Sequence, residues 1–262
     1  MDDTYQTYLN RLARQTLPET YKSQLQHIHE SPKFKLLSDG SYQAVSFPGY
    51  SVVSPPWEDD SHNSQFYASL KEVQQQLLQQ TEPGLMVAVP PESLHFTLAD
   101  LIWDSAYRDV ELKNPAFEEQ LQKCIGESFF KYQQSLTSSN PISWSLIGLI
   151  VRPRALAVCL APTDEYSYQK IIELRRSIYQ NPGLIALGIE QQYHFTAHVT
   201  LGYFGQIPDG LKRDELRETL LKLNRQGLPL EPLTIAVNKA QLRKFDDMMH
   251  YYRKSDWPVL QF

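Results

Sequence analysis

Two stretches of the chain repeat one pattern: "HFTL" at His95–Leu98 and "HVTL" at His198–Leu201. With seven His and twelve Thr among 262 residues, chance gives roughly a third of one His-x-Thr. The chain has three, because "YHFTAHVTL" overlaps His194–Thr196 with His198–Thr200. In a strand, residues i and i+2 share a face, so each His projects with its Thr. Two such pairs on a common face supply two proton carriers and two hydroxyl donors. That set suits in-line displacement at phosphorus: one imidazole takes a proton from the attacking oxygen and the other protonates the leaving oxygen. The hydroxyls hold the non-bridging oxygens. Phe96, Leu98, Val199 and Leu201 point to the opposite side, where they can pack against helices.

Other readings of these residues stand beside this one. A lone strand His is often a hydrogen-bonded core residue, and imidazoles are common zinc ligands. Thr is a poor zinc ligand, however, and no Cys or carboxylate sits at ligand spacing beside either motif, so no metal or cofactor is expected. His198 and Thr200 match the first motif better than His194 and Thr196, because Leu follows Thr200 and Ala follows Thr196. His194 lines the edge of the site or is structural. Trp103 shares parity with His95, and Phe204 with His198; each either stacks a base or belongs to wall or core. Gly202 keeps the strand face open or marks a bulge. Arg152, Arg154, Arg243 and Lys244 can meet a phosphate, though solvated strand ends also collect such residues. His27, His29, His62 and His250 read as surface residues, and "EVQQQLLQQT" as a solvated helix face.

The elements that must position the motifs follow from periodicity. Tyr5, Tyr8, Leu9 and Leu12 have helical spacing, and Pro18 divides that segment into two short helices. "SPKFKLLSDGSYQAVSFPGY" reads as loop, and "YSVVSP" as a short strand. A helix carries Phe66, Leu70, Val73 and Leu77 on one face. Strands are expected at Leu85–Val89 and Ser93–Trp103, then a helix at Pro115–Leu136 with Phe117, Leu121, Cys124 and Ile125 in the core. "ISWSLIGLIVRP" and "RALAVCLAP" form two strands joined at Arg152–Arg154. Asp164 caps the next helix, which stops at Asn181–Gly183. "YHFTAHVTLGYF" is a strand, Pro208–Gln226 a helix, and "PLTIAVNKAQLRKF" and "MHYYRKSDWPVLQF" the last strands. Helices mixed with hairpin-connected strands make an α+β pattern. Each motif copy precedes a helix, as two related half-domains would produce.

The chain is 42% hydrophobic and 21% charged, with a formal net charge of −5. That composition supports a folded core and argues against gripping long duplex nucleic acid, which favours a basic excess. A short nucleotide or an RNA end needs only a local site. Cys124 and Cys159 form no CxxC pair and read as reduced core residues of a cytoplasmic protein. The first residues lack an apolar signal region, and no apolar run is long enough to span a membrane.

The pattern resembles the 2H phosphoesterase superfamily, on "HFTL", "HVTL" and the "HVTLGYF" continuation. "SPKF" and "FPGYSVV" resemble a bacterial branch with an added N-terminal helical segment. The resemblance implies a two-lobed pseudo-symmetric fold of mostly antiparallel sheets, with helices outside and a central cleft. Residues 1–46 would be the helical extension and loop, and residues 47–262 the bilobal domain. It also implies cleavage, without metal, of 2′,3′-cyclic phosphates or other 2′-linked phosphodiesters of nucleotides or RNA ends. His95 and His198 would be catalytic, with Thr97 and Thr200 binding phosphate, in a monomer. An inactive nucleotide- or RNA-end-binding module and an RNA 2′–5′ ligase are the alternatives; the acidic charge counts against the ligase.

Overall fold

A computed structural model of the chain describes residues 2–136, 141–227 and 233–262. Thr4 caps the first helix through its side chain, and Pro18 opens the second at a position where a missing N–H does no harm. In chain order the elements are α1 (Tyr5–Gln15), α2 (Pro18–Leu25), β1 (Phe34–Leu36), β2 (Tyr42–Ala44), β3 (Gly49–Val53), α3 (Ser64–Gln80), β4 (Met86–Ala88), β5 (Thr97–Trp103), α4 (Asp104–Lys113) and α5 (Phe117–Ser135). They continue as β6 (Ser143–Arg152), β7 (Ala155–Pro162), α6 (Glu165–Tyr179), α7 (Pro182–Ala186), β8 (His198–Phe204), α8 (Arg213–Lys222), β9 (Thr234–Ala236), β10 (Lys239–Phe245) and β11 (Val259–Gln261). One antiparallel sheet has the order β11-β10-β3-β5, and a second the order β4-β8-β7-β6-β9. The fold is therefore α+β with antiparallel sheets. The first motif leads into β5, at the edge of the four-stranded sheet, and the second opens β8 in the five-stranded one.

Helix faces follow the expected spacing: Phe66, Leu70, Val73 and Leu77 of α3 and Phe117, Leu121 and Ile125 of α5 are buried. Asp164 accepts from the Ser167 N–H at 2.7 Å and caps α6. Tyr8, Leu12, Tyr21 and Leu25 of the first two helices belong to the main core with both sheets.

Several elements differ from expectation for identifiable reasons. Residues 34–44 form a hairpin rather than a loop, because Gly40 takes φ +83° in the turn and Leu37 and Ser41 close it. Asn181 ends α6 but also caps α7, accepting from the Gly183 N–H at 2.8 Å. α4 escaped the periodic reading because Tyr107 alone is buried on it. "MHYYRKSDWPVLQF" contributes only β11 and a single bridge from Tyr252 to Lys244. The expected strand at "PLTIAVNKAQLRKF" is two strands in different sheets, and its Pro232 lies outside the described residues.

Both motif strands break their alternation at the same place. β5 skips Leu98 in its pairing with β3, and β8 skips Leu201 in its pairing with β7. These are β-bulges at the Leu of each His-x-Thr-Leu. A bulge leaves a carbonyl without its ladder partner, and buried carbonyls require one. Arg175 of α6 donates to the Leu98 carbonyl at 2.6 Å. The Leu201 carbonyl accepts from the Val89 N–H at 3.1 Å and from Gln74 of α3 at 2.7 Å, and Gln74 also donates to the Val89 carbonyl at 2.8 Å. Gln74 is buried, so that part of "EVQQQ" is not a solvated face. Gln74→Leu should reduce unfolding free energy by about 1–3 kcal/mol, the usual penalty for an unsatisfied buried partner. Urea denaturation measures it, and an unchanged midpoint would refute the assigned role.

Candidate active site

His95 follows a 3-10 turn at Pro91–Ser93, whose last carbonyl has no helical partner. The His95 Nδ1 lies 2.7 Å from that Ser93 carbonyl. His198 repeats the arrangement, its Nδ1 lying 2.7 Å from the Thr196 carbonyl. A carbonyl only accepts, so Nδ1 carries the proton in both rings. Nε2 is left as the basic nitrogen of each.

The carbonyl that holds His198 is itself held in place from α1. Arg11 donates to the Thr196 hydroxyl at 2.7 Å and to the Phe195 carbonyl, and pairs with Asp3 at 2.8 Å. The Ala197 N–H donates to the Tyr8 hydroxyl at 3.1 Å. These side-chain bonds explain why residues 193–197 are not strand although their sequence alternates.

His95, Thr97, His198 and Thr200 all line one cleft of about 410 Å³. Asp100, Trp103 and Tyr203 line it too. The bulges account for this: one skipped residue makes i and i+3 share a face. Thr97 and Asp100 therefore project together, as do Thr200 and Tyr203, and a second bulge at Leu101 adds Trp103. Of the two placements open to Phe204, the structure shows the core: it is fully buried. Gly202 marks close approach, since a Cβ there would lie 2.7 Å from the Met86 side chain and the Val87 carbonyl.

Asp100 is gripped by the Tyr193 hydroxyl, and the Ser51 hydroxyl lies 3.4 Å away. The Tyr251 ring lies 4.1 Å from the His95 ring. Lys33, Arg152 and Arg154 bring positive charge to the lining. Arg243 and Lys244 do not reach it. Arg243 is buried against Asp59, Gln241 and the Tyr251 carbonyl, and Lys244 sits 5.5 Å over the Tyr50 and Tyr107 rings. His194 is exposed, 3.7 Å from Asp3, and does not line the cleft. His27, His29, His62 and His250 are exposed. Both cysteines are free thiols, Cys159 buried and Cys124 partly so.

Burial holds the pKa of both site imidazoles down, to about 4. Arg243 and His198 add to the lowering at His95, and Arg152 adds to it at His198. The carbonyl bonds and Asp100 act in the opposite sense. At neutral pH the cleft thus presents two neutral imidazoles and two hydroxyls, a set able to accept and relay protons beside an anion.

Strict alternation would place Asp100 and Tyr203 opposite the motif His and Thr; the bulges bring both into the cleft. Asp100 had one visible signal, an acid inside the otherwise apolar "FTLADLIW". Lys33, Tyr193 and Tyr251 reach the cleft only through tertiary contact.

A family model described as 2H-phosphodiest, a domain of unknown function (DUF1868), matches residues 33–112. The resemblance to the 2H phosphoesterases is borne out over that span, which includes the first motif. Among solved structures, the chain is similar to the conserved protein of unknown function ATU0111 from Agrobacterium tumefaciens, at 16% identity and a TM-score of 0.57, covering 86% of this chain and 90% of that one. That likeness is one of fold. The chain also matches E. coli LigT complexed with 3′-AMP, at 14% identity and a TM-score of 0.40, over 83% of this chain and 95% of that one. TT0787 of Thermus thermophilus matches at 18% identity and a TM-score of 0.42, over 75% and 87%. No curated protein matches the sequence. No helix among the described residues is long and apolar enough to cross a membrane.

The lowered imidazole pKa values have a consequence for stability. Between the unfolded value near 6.5 and the folded value of about 4, the unfolded chain binds more protons than the folded one. Stability contributed by these rings is therefore complete above about pH 6.5 and is lost as pH falls toward 4. Replacing both by Asn should flatten the fall in urea midpoint across that window. An unchanged slope would show that neither ring is desolvated.

Proposed function

We propose that this cleft is the active site of a metal-independent phosphodiesterase, acting on 2′,3′-cyclic phosphates or other 2′-linked phosphodiesters of nucleotides or RNA ends. One observation carries the reading: both His-Thr pairs line a single cleft, and each imidazole is fixed by the same bond to the carbonyl two residues before it. Duplicated geometry of this kind is expected of two proton-transfer groups on either side of one phosphorus. The family match over residues 33–112 supports the same chemistry.

In the proposed reaction water attacks the cyclic phosphate. The Nε2 of one imidazole accepts the water proton as the P–O bond forms. The other imidazole, entering protonated, gives its proton to the leaving ribose oxygen as the ring P–O bond breaks. The product is a phosphomonoester, and the two rings have exchanged protonation states. Thr97 and Thr200 donate to the non-bridging oxygens, where negative charge builds up. The residues suit a mechanism run on protons. Among the described residues no three His, Cys, Asp or Glu side chains stand close enough to hold a metal ion.

His95→Ala and His198→Ala should each lower kcat for a 2′,3′-cyclic nucleotide by about 10²–10⁴ without unfolding the protein, the usual contribution of a general acid or base. His194→Ala should stay near wild type, and EDTA should have no effect. Full activity in both site variants would end the proposal; nucleotide binding without turnover in the wild type would leave a binding module in its place. The pH profile gives a second test. Free imidazoles at about 4 place the alkaline limb of kcat/KM at acidic pH, whereas a bound phosphate anion raises the pKa of the adjacent acid. The alkaline limb of kcat should therefore lie at higher pH than that of kcat/KM. Coincident limbs would contradict it.

A further inference from the structure

We propose that the cleft contains a second anion subsite, formed by Lys33, Arg152 and Arg154, and that its natural ligand is a nucleotide or RNA end bearing a second phosphate. The inference rests on the phosphodiesterase reading for the first phosphate and on separate observations for the second.

Three cationic side chains line this one cleft against a single carboxylate, Asp100. Asp100 already accepts from Tyr193 and lies within reach of Ser51. Among the described residues, no carboxylate pairs with Lys33, Arg152 or Arg154, and neither arginine side chain makes a hydrogen bond. Arg243 behind the cleft shows the contrast: Asp59, Gln241 and the Tyr251 carbonyl occupy it. Unneutralised guanidinium groups in a concave site are the usual arrangement for binding phosphate.

Their placement separates them from the first phosphate. The Lys33 Nζ is held 4.5 Å from the Phe47 ring centroid and 4.6 Å from that of Tyr203, with the Tyr203 hydroxyl at 3.4 Å. Rings fix an ammonium without cancelling its charge. Arg154 adjoins Ala155, which pairs with Tyr203 across the sheet. Tyr203 is the third residue after Thr200, so it lies at most about 10 Å further along the strand. Arg152 pairs with the same Ala155 across the β6–β7 hairpin, at the same end of the sheet. Two neutral imidazoles and two hydroxyls already suit a singly charged diester. Three further cations match a ligand with more charge than that.

Calorimetry at low salt can test this without turnover, comparing adenosine 2′- and 3′-monophosphates with the 2′,5′- and 3′,5′-bisphosphates. The expected result is at least tenfold tighter binding of a bisphosphate than of its monophosphate, with a steeper salt dependence. The double variant Lys33→Ala/Arg154→Ala should lose that preference. Arg154→Gln, at an exposed position, should reduce it if the double variant does not fold. Equal affinities in the wild type, or a preference that survives in a folded variant, would overturn the subsite. A retained bisphosphate preference without cyclic phosphate hydrolysis would sink the activity alone, equal affinities with hydrolysis intact would sink the subsite alone, and binding of neither ligand would overturn both.

Discussion

Two carbonyl groups set the geometry of the cleft. Leu98 and Leu201 leave their ladders at the same position of each motif, and each is caught from behind by a buried polar side chain, Arg175 or Gln74. Without Arg175 the first bulge would bury an unpaired acceptor; at the second, Gln74 reinforces the bond from the Val89 N–H to the Leu201 carbonyl and supplies the Val89 carbonyl with its donor. With them, each strand presents a Thr and the residue three further on to the same side. One strand thereby adds Asp100 to the cleft, and the other adds Tyr203 with the ammonium it supports. The helices behind the sheets thus do more than cover an apolar face. They hold the irregularity that aims the site.

The imidazoles depend on a second pair of carbonyls, and here the two halves are supported differently. Ser93 offers its carbonyl because it ends a 3-10 turn. Thr196 offers its carbonyl because Arg11 and Tyr8 hold residues 195–197 out of the sheet. The N-terminal helix therefore takes part in the geometry of the second His. Its buried Tyr8 stacks on Phe195 and meets Trp144 edge-on, so the brace is rooted in the main core.

What was legible in the sequence was whatever depends on local periodicity. The α3 stripe, the Asp164 cap, the hairpin at Arg152–Arg154 and the paired His-x-Thr strings all have a period or a turn signal within a few residues. The cleft residues lost to that reading fall into two groups. Asp100 and Tyr203 lie beyond a bulge, where counting by twos loses its phase; the same bulge in β8 turns Phe204 into the core. Lys33 arrives from a segment distant in sequence, and Tyr193, although it opens the second motif's own string, is directed into the cleft by its bond to Asp100, a contact that no local pattern encodes. Gln74 was hidden by its neighbours, because one buried Gln in a run of solvated ones has no compositional mark.

The electrostatics of the cleft and of the whole chain point in opposite directions, and each sets a different limit. A net charge of −5 acts at long range and disfavours a long polyanion. Inside the cleft, cations outnumber the one carboxylate, and low-dielectric walls strengthen whatever field they make. That positive surrounding also works against protonating the imidazoles, which burial already disfavours. On the proposed mechanism one of them must nevertheless carry a proton when the reaction starts. The substrate resolves the conflict, because a phosphate anion between the rings supplies the negative charge that a protonated imidazole needs. The acid is then formed by binding, and an empty site keeps both rings neutral.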